Sequence, residues 1–167
     1  MGSVVTFGPR YRALVYVTLV LMFLVVVWGG IVRVTGSGLG CPDWPLCHGQ
    51  FLPGLDPQTR IEWFHRFIAI AGGLSLAALG VLTIARYRER RRALALVVAA
   101  GVLYVVQALL GAIVVLLELP HTWVTAHLAN AEILLAVLTV LAVEVRCPLI
   151  TSRAATLNSS SIHSASR

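Results

Sequence analysis

Four long apolar segments dominate the hydrophobic pattern of this 167-residue chain. They cover about residues 13–34, 61–85, 93–117 and 123–145. Each is long enough for a helix to cross a hydrocarbon core of ~30 Å, which takes ~20 residues. The pattern therefore predicts an all-α integral membrane protein with four transmembrane helices. Residues 1–12 precede this membrane domain of residues 13–145, a polar loop occupies residues 35–60, and residues 146–167 follow it.

The composition supports a membrane protein. Hydrophobic residues make up 58% of the chain, charged residues 12%, and the mean hydropathy is +0.87. A soluble domain of this size would carry far more charge. These values favour an integral membrane protein over a soluble one.

The arginines predict how the helices are oriented. The net charge of +6 could suggest nucleic-acid binding, but ten of the thirteen basic residues fall on one side of the predicted bundle. They are Arg10, Arg12, Arg86, Arg88, Arg90, Arg91, Arg92, Arg146, Arg153 and Arg167. Cytoplasmic segments of membrane proteins are enriched in arginine. We therefore expect a multi-pass cell-membrane protein with both termini in the cytoplasm and no nucleic-acid partner.

Other features fit this orientation. Trp28, Trp44, Trp63 and Trp123 all lie near the predicted outer boundary, where an aromatic belt anchors membrane proteins. The tail over 151–167 is rich in Ser and Ala without an apolar period, which predicts disorder. Cys147 at the cytoplasmic end is expected to be a free thiol.

The predicted outer loop contains two cysteines among glycines and prolines. Cys41 and Cys47 would lie on the oxidising side of the membrane, where a disulfide persists. A structural disulfide is the preferred interpretation, and a redox-active pair is an alternative. A metal site that also uses His48 is a third, but the spacing matches no standard zinc motif.

Ionisable side chains enter two of the predicted spans at the outer end. Glu62, His65 and Arg66 lie at the start of the second span, and His127 lies equally deep in the fourth, ~6 Å below the boundary. Such residues are costly in lipid and are usually functional. A lone histidine could simply pack between helices, but two at one depth can bind one heme iron between them. Arg66 would then lie close enough to the surface to meet a heme propionate.

Three further features of the spans do not by themselves indicate a role. Gln107 and Gly111 lie one turn apart on the third span, and several glycines, such as Gly29 and Gly30, could permit either close helix contact or room for a flat macrocycle. Glu132 lies deeper than His127 and points in another direction, so it is either a second functional carboxylate or a neutralised one.

Several motifs in order resemble the heme A synthase family. They are the stretch from Gly30 to Cys47, Glu62-x-x-His65-Arg66, Gln107-x-x-Leu110-Gly111 and Val124-Thr125-x-His127-Leu128, which together span about residues 27–140. The resemblance implies that His65 and His127 ligate heme near the outer face. It also implies that Glu62 is required for the reaction and that Cys41 and Cys47 can form a disulfide.

One departure from that family concerns size. Typical members have eight helices from a duplicated four-helix unit, with one histidine pair for a heme b cofactor and one for the substrate heme. This chain has four predicted helices and one pair, and its motifs resemble the N-terminal half, which the family associates with the substrate. Two associated copies, a single sufficient site or a second polypeptide could each account for this, and we favour a homo-oligomer.

The resemblance implies an oxidoreductase that converts heme O to heme A. A ring methyl is oxidised to a formyl group through water-derived hydroxylated intermediates, and the electron acceptor is unknown. Heme O synthase and terminal-oxidase assembly proteins are candidate partners. Two alternatives remain open, namely a membrane b-type cytochrome that carries electrons and a heme-binding assembly protein without turnover.

Overall fold

Four antiparallel helices form the protein in a computed structural model that describes residues 6–52 and 54–146. The helices are α1 (Pro9–Val34), α2 (Pro57–Tyr87), α3 (Arg91–Leu116) and α4 (His121–Arg146). All four are long and apolar enough to cross a membrane. Residues 6–52 and 54–146 contain no strand, only an isolated bridge between Cys47 and Gln50. The predicted all-α membrane bundle is confirmed.

The helices pack in a ring. Helix α1 contacts α2 and α4, and α3 contacts α2 and α4, so α2 and α4 lie diagonally across the bundle. We call the end that carries the 35–56 loop and the α3–α4 turn the loop end. The opposite end, with the arginine-rich turn between α2 and α3, is the arginine end. Because the helices alternate in direction, the start of α2 and the start of α4 both lie at the loop end.

Helix α2 begins at Pro57, before the predicted start at residue 61. Pro57 occupies the first helical turn, where its missing N–H costs nothing, and the Asp56 side chain accepts a hydrogen bond from the Thr59 N–H at 3.0 Å. The proline and the Asp56 cap start the helix ahead of its apolar residues. The predicted loop over residues 35–60 is therefore shorter in the structure, and Arg60 lies on α2.

The apolar core occupies mainly the arginine half of the bundle. Its largest fully buried side chains are Tyr11, Val15, Leu79, Leu138 and Leu141. Hydrogen bonds between side chains join α1 to α2 in this region, from Tyr11 to Thr83 at 2.8 Å and from Thr18 to Ser75 at 2.7 Å. This packing in the arginine half holds the four helices together, and it thereby sets their positions at the loop end, where the polar residues lie. The predicted tail over 151–167 and Cys147 fall outside the described residues.

Candidate heme-binding site at the loop end

The two predicted ligands lie on the diagonal helices, in the same half of the bundle. His65 is eight residues into α2 and His127 is six residues into α4, which places both ~9–12 Å along their helices from the loop end. The Nδ1 atoms of both rings are buried and have no hydrogen-bond partner. A buried nitrogen without a hydrogen-bond partner is costly and uncommon in a native structure.

Each histidine ring packs against a glycine of the preceding helix. A Cβ added at Gly29 on α1 would lie 3.2 Å from Cε1 of His65, and one at Gly111 on α3 would lie 3.2 Å from Cε1 of His127. Both distances are tighter than ordinary van der Waals contact. The two hairpins, α1–α2 and α3–α4, therefore hold their histidines in the same way, and these glycines make room for the imidazole rings.

A chain of hydrogen bonds positions His127. Asn130 donates to the Leu103 carbonyl at 3.0 Å and to Oε1 of Gln107 at 2.7 Å. Gln107 Nε2 then lies 3.1 Å from Nε2 of His127. Since a carbonyl can only accept, the Leu103 oxygen fixes the orientation of the Asn130 amide, which in turn fixes that of Gln107. Gln107 is thus the donor, and the Nε2 lone pair of His127 accepts.

Sequence reasoning left Gln107 without a role and missed Asn130. One signal was available, because Asn130 follows His127 by three residues and therefore shares its helix face. Gln107, the partner of Asn130 on α3, could not be predicted in the same way, because the contact depends on how α3 is rotated against α4.

Glu62 is buried at the start of α2, with 4% of its surface exposed. Its Oε1 accepts a hydrogen bond from Nε of Arg66, one turn later, at 3.0 Å. The predicted carboxylate therefore lies in the same part of the bundle as His65, and its ion-pair partner is Arg66.

Arg66 also holds the loop. Its Nη1 donates to the carbonyls of Asp43 at 2.7 Å and Leu46 at 2.6 Å, and its Nη2 donates to that of Cys41 at 2.7 Å. With the bond to Glu62, these contacts use four of the five N–H groups of the guanidinium. One N–H is left for the predicted contact with a propionate, which stays a prediction.

The predicted disulfide between Cys41 and Cys47 is present, and both cysteines are buried. It closes the loop that Arg66 anchors. Gly40, beside the disulfide, lies so close to α2 that an added Cβ would overlap the Gln58 carbonyl. The disulfide and Gly40 together tie the loop to the start of α2.

A second set of contacts shapes the same loop. The Asp43 carboxylate accepts hydrogen bonds from the backbone N–H of His48 at 2.6 Å and of Gly49 at 2.7 Å. These bonds, chiefly that of Gly49, hold the pKa of Asp43 below its usual value. The turn is therefore stabilised at neutral pH, and this contribution is lost as the pH falls through the lowered pKa. The Nε2 atom of His48 lies 3.0 Å from the Gly40 carbonyl oxygen.

No group of three or more His, Cys, Asp or Glu side chains that could hold a metal ion occurs among residues 6–52 and 54–146. A heme needs fewer protein ligands, because the porphyrin supplies four nitrogens to the iron and two imidazoles complete the set. Two histidines such as His65 and His127 supply the number of protein ligands that a heme iron takes. A cavity of about 440 Å³ at the loop end, between Trp28, Arg60 and Phe64, is lined by neither histidine.

Glu132 lies apart from this site. Its side chain is exposed on the outer surface of α4, whereas its neighbours Asn130, Ala131 and Leu134 are buried. It therefore takes no part in the arrangement around His127.

Comparison with known proteins identifies the family. The model of the COX15-CtaA family, described as cytochrome oxidase assembly protein, matches residues 12–60 and 56–165. Heme A synthase of Bacillus licheniformis is 38% identical over 102 residues, which cover 60% of this chain and 34% of that protein. Heme A synthase of Bacillus pumilus is 39% identical over 109 residues, covering 62% and 34%. The matched region thus spans about a third of these relatives. This chain belongs to the COX15-CtaA family of cytochrome oxidase assembly proteins, the family of the heme A synthases.

Proposed function

We propose that this protein acts in heme A biosynthesis as a heme A synthase, an oxidoreductase that converts heme O to heme A. The observation that carries the proposal is the pair of histidines on diagonal helices, at similar depth from the loop end and each packed against a glycine. The family membership supports the same reaction.

In the proposed reaction a ring methyl becomes a formyl group. The overall balance is R–CH₃ + H₂O → R–CHO + 4 H⁺ + 4 e⁻, so the oxygen comes from water and four electrons pass to an external acceptor. The heme iron, when bound, supplies the electron-transfer chemistry. The protein has to bind the macrocycle, orient one methyl and stabilise the charge that develops there.

His65 and His127 would hold the iron, of heme O as substrate or of a heme b cofactor. Iron binds a nitrogen lone pair, and Gln107 determines that the lone pair of His127 is on Nε2. Two fixed imidazoles would hold the macrocycle at one depth in the bundle, and the proposed contact of Arg66 with a propionate would limit its rotation, so that one methyl among several lies beside Glu62.

Glu62 would act beside the bound macrocycle. Its carboxylate is shielded from water and held by Arg66, so it can stabilise developing positive charge or orient the attacking water. Arg66 ties the disulfide loop to the same turn of α2, and its remaining N–H would meet a propionate.

We further propose that the loop end faces the outer side of the cell membrane and the arginine end the cytoplasm, as the arginines predict. The active unit would be a homo-oligomer, since one chain supplies a single histidine pair. Heme O synthase and terminal-oxidase assembly proteins are the proposed partners.

A second candidate function rests on the ion pair of Glu62. Because Arg66 links this carboxylate to the loop, Glu62 could serve structure alone, and the histidine pair would then carry electrons, or hold heme for transfer to a partner protein.

One experiment separates these functions. Purified protein is supplied with heme O and an oxidant, and the extracted hemes are analysed by chromatography and mass spectrometry. Heme A or its hydroxylated precursor, formed by the wild type and not by a His65→Ala variant, supports the synthase. Bound heme O that stays unchanged through repeated oxidation would refute it and favour the carrier.

A further inference from the structure

Helix α4 carries a carboxylate on the face that no other helix of the bundle covers. Glu132 is exposed there, eleven residues from the first residue of α4 and fourteen from the last. At ~1.5 Å per residue it lies ~16 Å along the helix, close to the middle of a membrane span.

A carboxyl group in this position needs a polar partner. Side chains of this kind inside a bilayer almost always face a bundle interior or pair with another polar group. The other two acidic residues of the helical spans do so, since Glu62 pairs with Arg66 and Glu144 with Arg92 at 3.4 Å. Within the described residues, Glu132 forms neither an ion pair nor a hydrogen bond. A partner for Glu132 therefore has to come from outside the described residues.

The surface around Glu132 is suited to close contact with another helix. Ala129 and Ala136 flank it one turn away on either side, and both are exposed. Small residues let two helix backbones approach closely in a membrane. Thr125 and Thr139 continue the same face, and their hydroxyls already donate to carbonyls of α4, each at 2.8 Å. Within the described residues, Glu132 is therefore the one polar side chain on this face without a hydrogen-bond partner.

We propose that this α4 face (Thr125, Ala129, Glu132, Ala136 and Thr139) is the interface between two copies of this protein. Two copies inserted in the same direction are related by a two-fold axis along the membrane normal, which brings equal residues together at equal depth. Glu132 of one copy then meets Glu132 of the other. A protonated carboxyl both donates and accepts hydrogen bonds, so the pair satisfies itself.

A second copy can provide a partner for Glu132 at the right depth, whereas the exposed arginines of the chain cannot. The exposed arginines nearest to the spans, such as Arg33, Arg60 and Arg86, lie within four residues of a helix end and not at the depth of Glu132. The interface leaves the histidine site intact, because Asn130 and His127 turn away from it toward α3. The inference deepens the homo-oligomer of the proposed function, and it does not require that the enzyme turns over.

Cysteine cross-linking in membranes tests the interface. Ala129→Cys and Ala136→Cys are made with Cys147→Ser, oxidised and analysed by non-reducing electrophoresis. Ala77→Cys is the matched control, because Ala77 is also exposed and lies ten residues from the arginine end of α2, as Ala136 does in α4. We expect a covalent dimer from both α4 variants and none from the control. Equal cross-linking at Ala77, or none on α4, would overturn the proposal.

Substitution of Glu132 tests the carboxyl pair itself. Glu132→Leu suits a lipid-facing position, so we expect it to fold but to associate at least tenfold more weakly in native mass spectrometry. Glu132→Gln keeps a donor and an acceptor and should stay dimeric. A Glu132→Leu protein as dimeric as the wild type would overturn the role of Glu132. Heme spectra of the same samples report on the histidine site, so failure of heme binding and failure of the interface are distinguishable.

Discussion

Gln107 donates a hydrogen bond to His127 across the α3–α4 contact, with 3.1 Å between their Nε2 atoms. The bond occupies the lone pair of the imidazole, which is the group that iron would bind. Gln107 therefore holds the ring in place and also competes with iron for Nε2. Asn130 keeps the Gln107 amide in the donating orientation.

Replacing Gln107 by Leu tests this competition. The variant loses a hydrogen bond worth about 1 kcal/mol in the heme-free protein. Because iron no longer has to displace Gln107, we expect hemin to bind about fivefold more tightly, with a low-spin spectrum. Titration of heme-free protein with hemin measures this, with Val105→Leu on the exposed face of α3 as the control. Binding weakened tenfold or more would show that Gln107 supports the bound state instead.

The second prediction concerns the ligands. His65→Ala and His127→Ala should each convert a low-spin bis-histidine spectrum to a high-spin one, because a single imidazole leaves one iron position open. Absorption and electron paramagnetic resonance spectra report the spin state. His121→Ala is the control, since His121 is exposed at the start of α4. A low-spin spectrum in both test variants would refute the assignment.

The third prediction concerns the glycines beside the rings. Ala at Gly29 or Gly111 would place a Cβ 3.2 Å from a histidine ring and displace it by a few tenths of an ångström. We expect a shifted heme spectrum and weaker heme binding from both variants. Gly30→Ala and Gly101→Ala are matched controls, because no atom lies within 4 Å of an added Cβ at either position. Identical spectra in all four variants would contradict a positioning role.

The disulfide gives the fourth prediction. Cys41→Ser and Cys47→Ser should retain heme but lose up to ~2–3 kcal/mol of stability, because the bridge closes a short loop. Arg66 still anchors this loop through three carbonyls, so the loss should be partial. Thermal unfolding of heme-loaded protein measures the change. Complete loss of turnover with unchanged stability would instead indicate redox chemistry at these sulfurs.

Much of this arrangement follows from the sequence. The apolar runs gave four helices of nearly the right length, and the depths of His65 and His127 placed both histidines at one end of the bundle. The start of α2 was missed because Asp56 and Pro57 extend the helix into polar sequence. Contacts between a helix and a loop could not be predicted from the sequence. The bonds of Arg66 to the loop depend on a fold of residues 41–46 that hydrophobic periodicity does not describe.

Glu62 provides the last prediction, since it should separate catalysis from binding. Glu62→Gln keeps the size of the side chain and can still accept a hydrogen bond from Arg66, but it removes the negative charge. Arg66 would keep its three loop carbonyls, so we expect the loop, the heme content and the spectrum to change little. The loss of transition-state stabilisation should be about 3 kcal/mol or more, which slows turnover by a factor of ~100. Heme O or a hydroxylated intermediate should then accumulate, as mass spectrometry of the extracted hemes would detect. Glu144→Gln is the control, because Glu144 is also paired with an arginine but lies at the arginine end. Normal heme A production by Glu62→Gln would exclude the catalytic role, whereas loss of all heme would make Glu62 a structural residue and favour the electron carrier.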